Sequence, residues 1–563
     1  MKRKTSYKQP TKLIDNKSFF QKSWFQSLAL GTISAILTAI PVNAAEKIYF
    51  NYRGIALSVK VSSLETFAKE GKINKELRGY LRGVDQKTRD EFRKALVESQ
   101  EINPVQLYRF LTTPLGEEIL TQVGNMIQIS GGRNGKYAIR AAVVKSASTP
   151  EGLTVLNILS QFPTDIELNT DRILTMARLV ENLIAETKDM IAQMAKLSSI
   201  EAAASDPVNF SALTDLRVAG KYGVSKKTVI FKDERRERKL TVDIYQPKTW
   251  RSAGVGKTPV IVASHGLASN REHYKRQASH LASHGYLVAV PEHPESNTAQ
   301  IDQMLQGYSS EIFKLNEFID RPLDISYVLD ELERRNQSEF EGRLNLKEVG
   351  MMGHSFGGYT ALALAGATID FNQLEKDCNR EVWMPNLSLL LQCQALKLPR
   401  KTYDFRDRRI KIIIALNPFN SSIFGAEGLR NIQIPVILAS GSQDPATPAV
   451  IEQLRSFIWL QNSSKYLILV EGQAHIDISQ LDAGITEIID SIPNLKLADS
   501  KVLGRYGNAI NLAFFEYYVA KTSDYSPYLQ SSYAQYLSEQ PFGIYLLKSS
   551  SSVEALKQSL EEL

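Results

Sequence analysis

From about residue 240 onward, short apolar runs alternate with segments that place apolar residues every three or four positions. TVDIYQP, TPVIVASHG, YLVAVPEH, EVGMMGHS, IKIIIALNP, IPVILASGS and SKYLILVEG are nearly continuous in β-branched and other apolar residues. Strands covered on both faces have this character. REHYKRQASHLASHG, RPLDISYVLDELERRN and PATPAVIEQLRSFIWL lie between them with helical spacing. Repeated strand–helix units predict a mostly parallel sheet with helices on both faces. Ligands then sit at the carboxyl ends of the strands. Residues 216–563 are read as this α/β domain, with a cap-like insertion at 370–409 and a helical extension from about 500.

Upstream the rhythm is different. KIYFNYRGIALSVKV (47–61) reads as strand or hairpin, and Ser62-Ser63-Leu64-Glu65 has the spacing of a capping box opening a helix. Short amphipathic stretches follow: DEFRKALVES, PVQLYRFLTT, LGEEILTQVGNMIQ and LTVLNILSQF. A longer one from Asp171 to about Leu197 aligns Ile173, Ala177, Val180, Ile184, Ile191 and Met194 on one face. That stripe is a core face, or else a surface leaning over a site or touching lipid. Residues 45–215 are thus expected to form a mainly helical domain, ending in the connection SDPVNFSALTD. GGRNGK (131–136) is one spacer short of a phosphate loop and has Tyr137 where a Ser or Thr would hold magnesium. It is not read as one.

Composition alters this picture chiefly at the start of the chain. Of 563 residues 43% are apolar and 23% charged, which excludes disordered and fibrous classes. The formal charge is +6, and seven basic residues against Asp15 within the first 22 positions carry all of it. An uncharged stretch from Ser23 to Ala45 follows, with Val42-Asn43-Ala44 as a small-residue cleavage site. This is the layout of a secretory signal peptide over 1–44. An uncleaved anchor through 23–45 is the alternative. The remainder is near neutral, so nothing points to nucleic acid. KDERRERK (232–239) mixes signs between two strand-like runs and reads as a solvated hairpin turn. The two cysteines, Cys378 and Cys393, both fall in the exported part, where a local pair is expected to be bridged rather than left as free thiols.

The chemistry gathers at strand ends. Gly353-His354-Ser355-Phe356-Gly357 is a G-x-S-x-G pattern between an apolar run and an alanine-rich one. That context marks a nucleophile on a strand-to-helix turn rather than a small residue in a tight loop. A serine hydroxyl needs a base, and the base needs an orienting acid. Of seven histidines only His475, after LILVEG, lies downstream of Ser355. Asp444, after IPVILAS, lies between them. Capping the following helix is its competing role, while Asp404 and Asp407 precede their strand and would lie at its wrong end. Two N–H groups must meet the oxyanion: that of Phe356, next to the nucleophile, and that of Leu267, which follows His265-Gly266 after VIVAS. With no H-E-x-x-H and no clustered ligand set, no metal or cofactor is implied.

GHSFGG, RPLDISYVLDEL and the Asp-x-x-Thr-Pro loop resemble the α/β-hydrolase superfamily. Within it they are similar to platelet-activating-factor acetylhydrolases, dienelactone-hydrolase-like proteins and cutinase-like serine esterases. Residues from about 46 to 162 resemble an N-terminal domain of unknown function found with such hydrolases in cyanobacteria. The resemblance implies an α/β-hydrolase fold after a mainly helical N-terminal domain, and a serine esterase or lipase acting on small-molecule or lipid esters. Peripheral membrane contact would accompany a lipid substrate; oligomeric state is not legible. Dienelactone hydrolases carry cysteine where Ser355 stands. Animal acetylhydrolases carry their acid at the position of Asn417, so the acid moves to Asp444, as in cutinase-like enzymes. Phe419 matches an aromatic that flanks the acyl site in cutinase-like proteins, or is a strand-end core residue. Acyl transfer to an alcohol with the same triad, and a non-catalytic envelope binding protein on the same scaffold, are the competing functions.

Overall fold

The computed structural model describes residues 44–561 apart from 53, 252–253, 381–384 and 476–495. All but the last residue of the expected export segment therefore lies outside the described residues, as do Trp383 and Met384 of the insertion. The chain forms two compact units. The smaller holds the described residues up to Glu101 with Ile127–Arg133 and Tyr137–Leu168, and the larger holds Ile102–Met126, Asn134–Lys136 and Asn169–Leu563. The long helix before 215 clusters with the larger unit, as do Ile102–Met126 and Asn134–Lys136.

In the smaller unit, strands β1 (Lys47–Tyr52) and β2 (Ile55–Lys60) form the expected hairpin. Short strands β3 (Ile127–Ile129), β4 (Arg133–Asn134) and β5 (Ile166–Leu168) extend it to a sheet of order β2-β1-β5-β3-β4. The capping box is not formed. The helix Val61–Glu70 begins earlier, with Lys60 at its cap position, and Ser63 inside it donates instead to the Glu76 carboxylate.

The larger unit is built on nine strands: β6 (Val224–Asp233), β7 (Arg238–Pro247), β8 (Thr258–Ser264), β9 (Leu287–Pro291), β10 (Leu344–His354), β11 (Ile410–Leu416), β12 (Val436–Gly441), β13 (Lys465–Val470) and β14 (Ile544–Leu547). Their order is β14-β13-β12-β11-β10-β8-β9-β7-β6. The six strands from β13 to β9 are parallel, and β14, β7 and β6 join antiparallel. Alternate side chains explain the continuous apolar runs. Val260, Val262, Met351 and Ile413 enter one core layer, while Ile261, Ala263, Met352, Ile412 and Ile414 enter the other.

Eight helices matter for the site. The first, α1 (Thr170–Ala204), buries Met190, Met194 and Leu197 in the first layer and leaves Val180 and Ile184 exposed. The predicted stripe is thus core only in its second half. The others are α2 (Lys275–Ser283), α3 (Glu317–Phe340), α4 (Phe356–Leu364), α5 (Phe371–Cys378), α6 (Leu387–Gln394), α7 (Ser421–Leu429) and α8 (Ser500–Tyr518). Helices α2 and α8 cover one face of the sheet; α3, α4 and α7 cover the other. The extension after 500 is helical as expected but also supplies β14, an edge strand the sequence pattern did not reveal.

The turn at 232–239 joins β6 and β7 as expected and exposes Lys232, Glu234, Arg235, Glu237 and Lys239, while Asp233 and Arg238 are buried. In the insertion, Leu374, Leu389, Leu390 and Leu391 are buried, while Leu387 is exposed. The buried carboxylate of Glu452 ties α6 to the body. It accepts from Asn386 Nδ2 at 2.6 Å, Ser388 Oγ at 2.9 Å and Gln392 Nε2 at 2.7 Å, and from the backbone N–H groups of Asn420 and Ser421. Cys378 and Cys393 are bonded across a 15-residue separation. Closing a loop of that length contributes about 3 kcal/mol in the chain-entropy account. Cys378→Ser should therefore lower the melting temperature, measured by calorimetry under oxidising conditions. An unchanged melting temperature would mean the packed leucines and Glu452 suffice. A changed preference between short and long acyl esters in the same variant would mark the insertion as substrate surface.

Candidate active site

The turn between β10 and α4 places Ser355 at φ 55° and ψ −116°. A non-glycine residue pays for that left-handed φ only where the surroundings impose it. Here the chain must reverse within one residue, and the serine is lifted out of the strand line. A Cβ on Gly357 would have no room, 1.9 Å from the Ser264 carbonyl oxygen, and one on Gly266 would be tight, 3.2 Å from His354 Nδ1 and 3.3 Å from Ser355 Cβ. These glycines let the loop after β8 and the start of α4 close against the serine.

The three residues predicted from chain order meet. His475 Nε2 lies 2.9 Å from Ser355 Oγ, and His475 Nδ1 lies 2.7 Å from Asp444 Oδ2. With the carboxylate able only to accept, Nδ1 carries the proton and Nε2 is left to accept from the serine hydroxyl. Asp444 also performs its competing role: its Oδ1 accepts the N–H groups of Ala446 and Thr447, both at 2.9 Å. Burial opposes its charge, but His475 and the Thr447 donors hold its carboxyl below the ordinary carboxylate value. It stays ionised, and the stability this gives is lost only as pH falls through that depressed value.

Asn417, at the end of β11, also belongs to this group. Its Nδ2 donates to Asp444 Oδ2 at 2.5 Å, and Thr447 Oγ1 donates to the same oxygen at 2.7 Å. The amide thus supports the carboxylate from the position where acetylhydrolases place their acid.

The two predicted oxyanion donors flank the serine in sequence and in the loop that abuts it. Among the described residues, neither the Leu267 nor the Phe356 N–H donates to a protein acceptor. Phe419, three residues beyond the end of β11, is 1% exposed and stacked on Tyr359 with centroids 5.5 Å apart, against Phe318 and the ring of Phe356 next to the nucleophile.

Sequence reading missed a buried polar layer beneath the loop after β8. Arg238 grips Asp324 through Nε at 2.9 Å and Nη2 at 2.8 Å, and reaches Glu317 at 2.8 Å. His293 Nδ1 meets Asp324 at 3.0 Å, and its Nε2 meets Ser264 Oγ at 2.8 Å. Burial and the nearby arginines keep His293 and His265 neutral, well below the usual histidine range. Glu295, Glu317 and Asp320 bring ligand oxygens within 4.8 Å of one another. Arg238 already faces all three, so the cluster is an ion-pair network. The one sequence signal was the opposite-sign pairing available between KDERRERK and RPLDISYVLDEL.

A cavity of about 610 Å³ adjoins His475. It runs between the sheet and helices α2 and α8, lined by His354, Met352, Leu416, Ile437, Ile468 and Val470 among others. Burial, His475 and His273 push His354 down to about 3, so it is a neutral ring, tilted against that of His475 with centroids 4.9 Å apart.

Residues 44–169 match the family described as alpha/beta hydrolase of unknown function (DUF1400). Residues 225–320 match platelet-activating factor acetylhydrolase, isoform II. A search of curated proteins finds no match. The second match runs from β6 into the first turn of α3 and stops before Ser355. The nine-stranded sheet and both matches mark an α/β-hydrolase fold and a hydrolase of esterase-like kind.

Proposed function

We propose that the protein is an exported serine hydrolase of carboxylic esters, with Ser355 as nucleophile, His475 as general base and acid, and Asp444 as the orienting carboxylate. The observation that carries this reading is the unbroken pair of hydrogen bonds from Ser355 through His475 to Asp444 at 2.9 and 2.7 Å. Ser355 Oγ adds to the ester carbonyl as Nε2 takes its proton. The Leu267 and Phe356 N–H groups receive the oxyanion. Collapse expels the alcohol, which takes the proton back from Nε2, and water then repeats the sequence on the acyl-enzyme.

Export is supported by the basic and then uncharged first 45 residues and by the disulfide, which belongs to oxidising compartments. Among the described residues no helix is long and apolar enough to cross a membrane. The test against a non-catalytic binding protein is direct. A fluorophosphonate probe should label the chain at one serine, located by peptide mapping at Ser355. An unlabelled, folded chain would reject the enzyme reading.

A further inference from the structure

Arg321 opens the motif RPLDISYVLDEL and is fully buried, 0% exposed. Its donors do not go mainly to a carboxylate. Nη1 donates to the His265 carbonyl at 2.6 Å and Nη2 to the Gly266 carbonyl at 3.3 Å. Nε and Nη2 both reach Ser296 Oγ, at 2.9 and 2.8 Å, while the nearest Glu317 oxygen is 3.4 Å away. On its other face the guanidinium lies 4.3 Å from the centre of the Phe356 ring. An arginine buried for charge pairing alone would grip a carboxylate with its fork, as Arg238 grips Asp324. This one spends its fork on the two carbonyls that precede Leu267.

We propose that Arg321 is the positioning residue of the oxyanion site, holding the Gly266–Leu267 peptide so that the Leu267 N–H faces the developing oxyanion. The proposal rests on the serine-hydrolase reading above. A trans peptide is planar, so its C=O and N–H point in opposite directions. Drawing the Gly266 carbonyl toward the guanidinium turns the Leu267 N–H away from it. His265 strengthens the hold: its Nε2 accepts the His293 N–H at 3.0 Å, which leaves Nδ1 to donate to the Gly266 carbonyl at 2.8 Å. External holding matters because residue 266 is a glycine, where a Cβ would sit tightly at 3.2 Å from His354 Nδ1 and 3.3 Å from Ser355 Cβ, and glycine leaves its own peptide planes free to rotate. Through its contact with the Phe356 ring, the same cation steadies the residue that supplies the second N–H.

The test uses Arg321→Lys and Arg321→Met in the full chain, with rates on a nitrophenyl ester divided by the number of serines titrated by an organophosphate. That division removes any misfolded fraction. In both variants kcat per titrated site should fall by about 10² or more, the scale of losing one oxyanion donor, with KM little changed. Affinity for an alkyl boronic acid, which forms a tetrahedral adduct on the serine oxygen, should weaken by a similar factor. Lysine keeps the charge but not the fork, so restoration by Arg321→Lys would assign the residue to charge balance and overturn the proposal. Unchanged boronate affinity alongside a lower kcat would overturn it too. Ser296→Ala, which removes the hydroxyl anchoring the guanidinium, is the milder variant should the others not fold; it should lower kcat and boronate affinity together, and no change in either would overturn the proposal. A wild-type chain that takes up no organophosphate would sink the serine reading and this inference together. Labelled variants with undiminished kcat would sink only the role of Arg321.

Discussion

Ser355→Ala is expected to lower kcat on any accepted ester by a factor of about 10⁴ to 10⁶ while leaving the fold intact. The oxygen removed carries the whole covalent route: without it no acyl-enzyme forms, and only the binding cleft and the oxyanion donors remain to assist water. The structural loss is small by comparison. The serine is buried, and its side chain meets His475 at 2.9 Å. Alanine must adopt the same φ of 55°, so the strain of the turn is shared by both proteins. The variant should melt within a degree or two of wild type and take up no organophosphate. Retained labelling would place the nucleophile at another serine.

Asp444→Asn should cost about 10⁴ in kcat, the scale seen when a triad carboxylate becomes an amide. A neutral amide cannot stabilise the imidazolium, and its NH₂ can donate to Nδ1, which leaves the proton on Nε2 and the serine without an acceptor. The informative control is Asn417→Ala. Asn417 Nδ2 donates to the same Asp444 oxygen at 2.5 Å, so its removal loses one charge-assisted hydrogen bond, worth about 1.5–3 kcal/mol. That corresponds to a fall of about 10 to 10² in rate if all of it reaches the transition state. The two substitutions should therefore differ by roughly two powers of ten. Equal effects would show that the two strand ends share the acid role and that Asp444 does not hold it alone.

The central strands were legible because burial on both faces writes itself as uninterrupted apolar residues, and Ser355, Asp444 and His475 because each follows such a run. What escaped was pairing across distance. Asn417 gives no sign in sequence that it would face Asp444, 27 residues later. The turn at 232–239 is mostly solvated, as its charges suggest, but local composition cannot reveal that α3 brings Glu317 and Asp324 onto Arg238. Phe419 follows a strand end, and nothing in its local sequence showed that it would pack on the rings of Tyr359 and Phe356. Ser62 and Glu65 matched a capping box, yet the helix started earlier because β2 runs straight into it at Lys60. The short β14 was missed because four residues following Gly543 carry too little pattern to stand apart from helical surroundings.

That last strand has a consequence for how the molecule avoids its neighbours. Strand β13, which leads into His475, has β12 on one side and only β14 on the other. Its cover arrives from Ile544–Leu547, well after β13 in the chain. Until those residues dock, Leu467, Ile468, Leu469 and Val470 present a bare row of backbone donors and acceptors beside apolar side chains, the features of a template for another chain. The interval between making β13 and seating β14 is thus the period when nascent or partly unfolded copies are most apt to join edge to edge, and the C-terminal helices that carry β14 act as the sheet's guard against self-association.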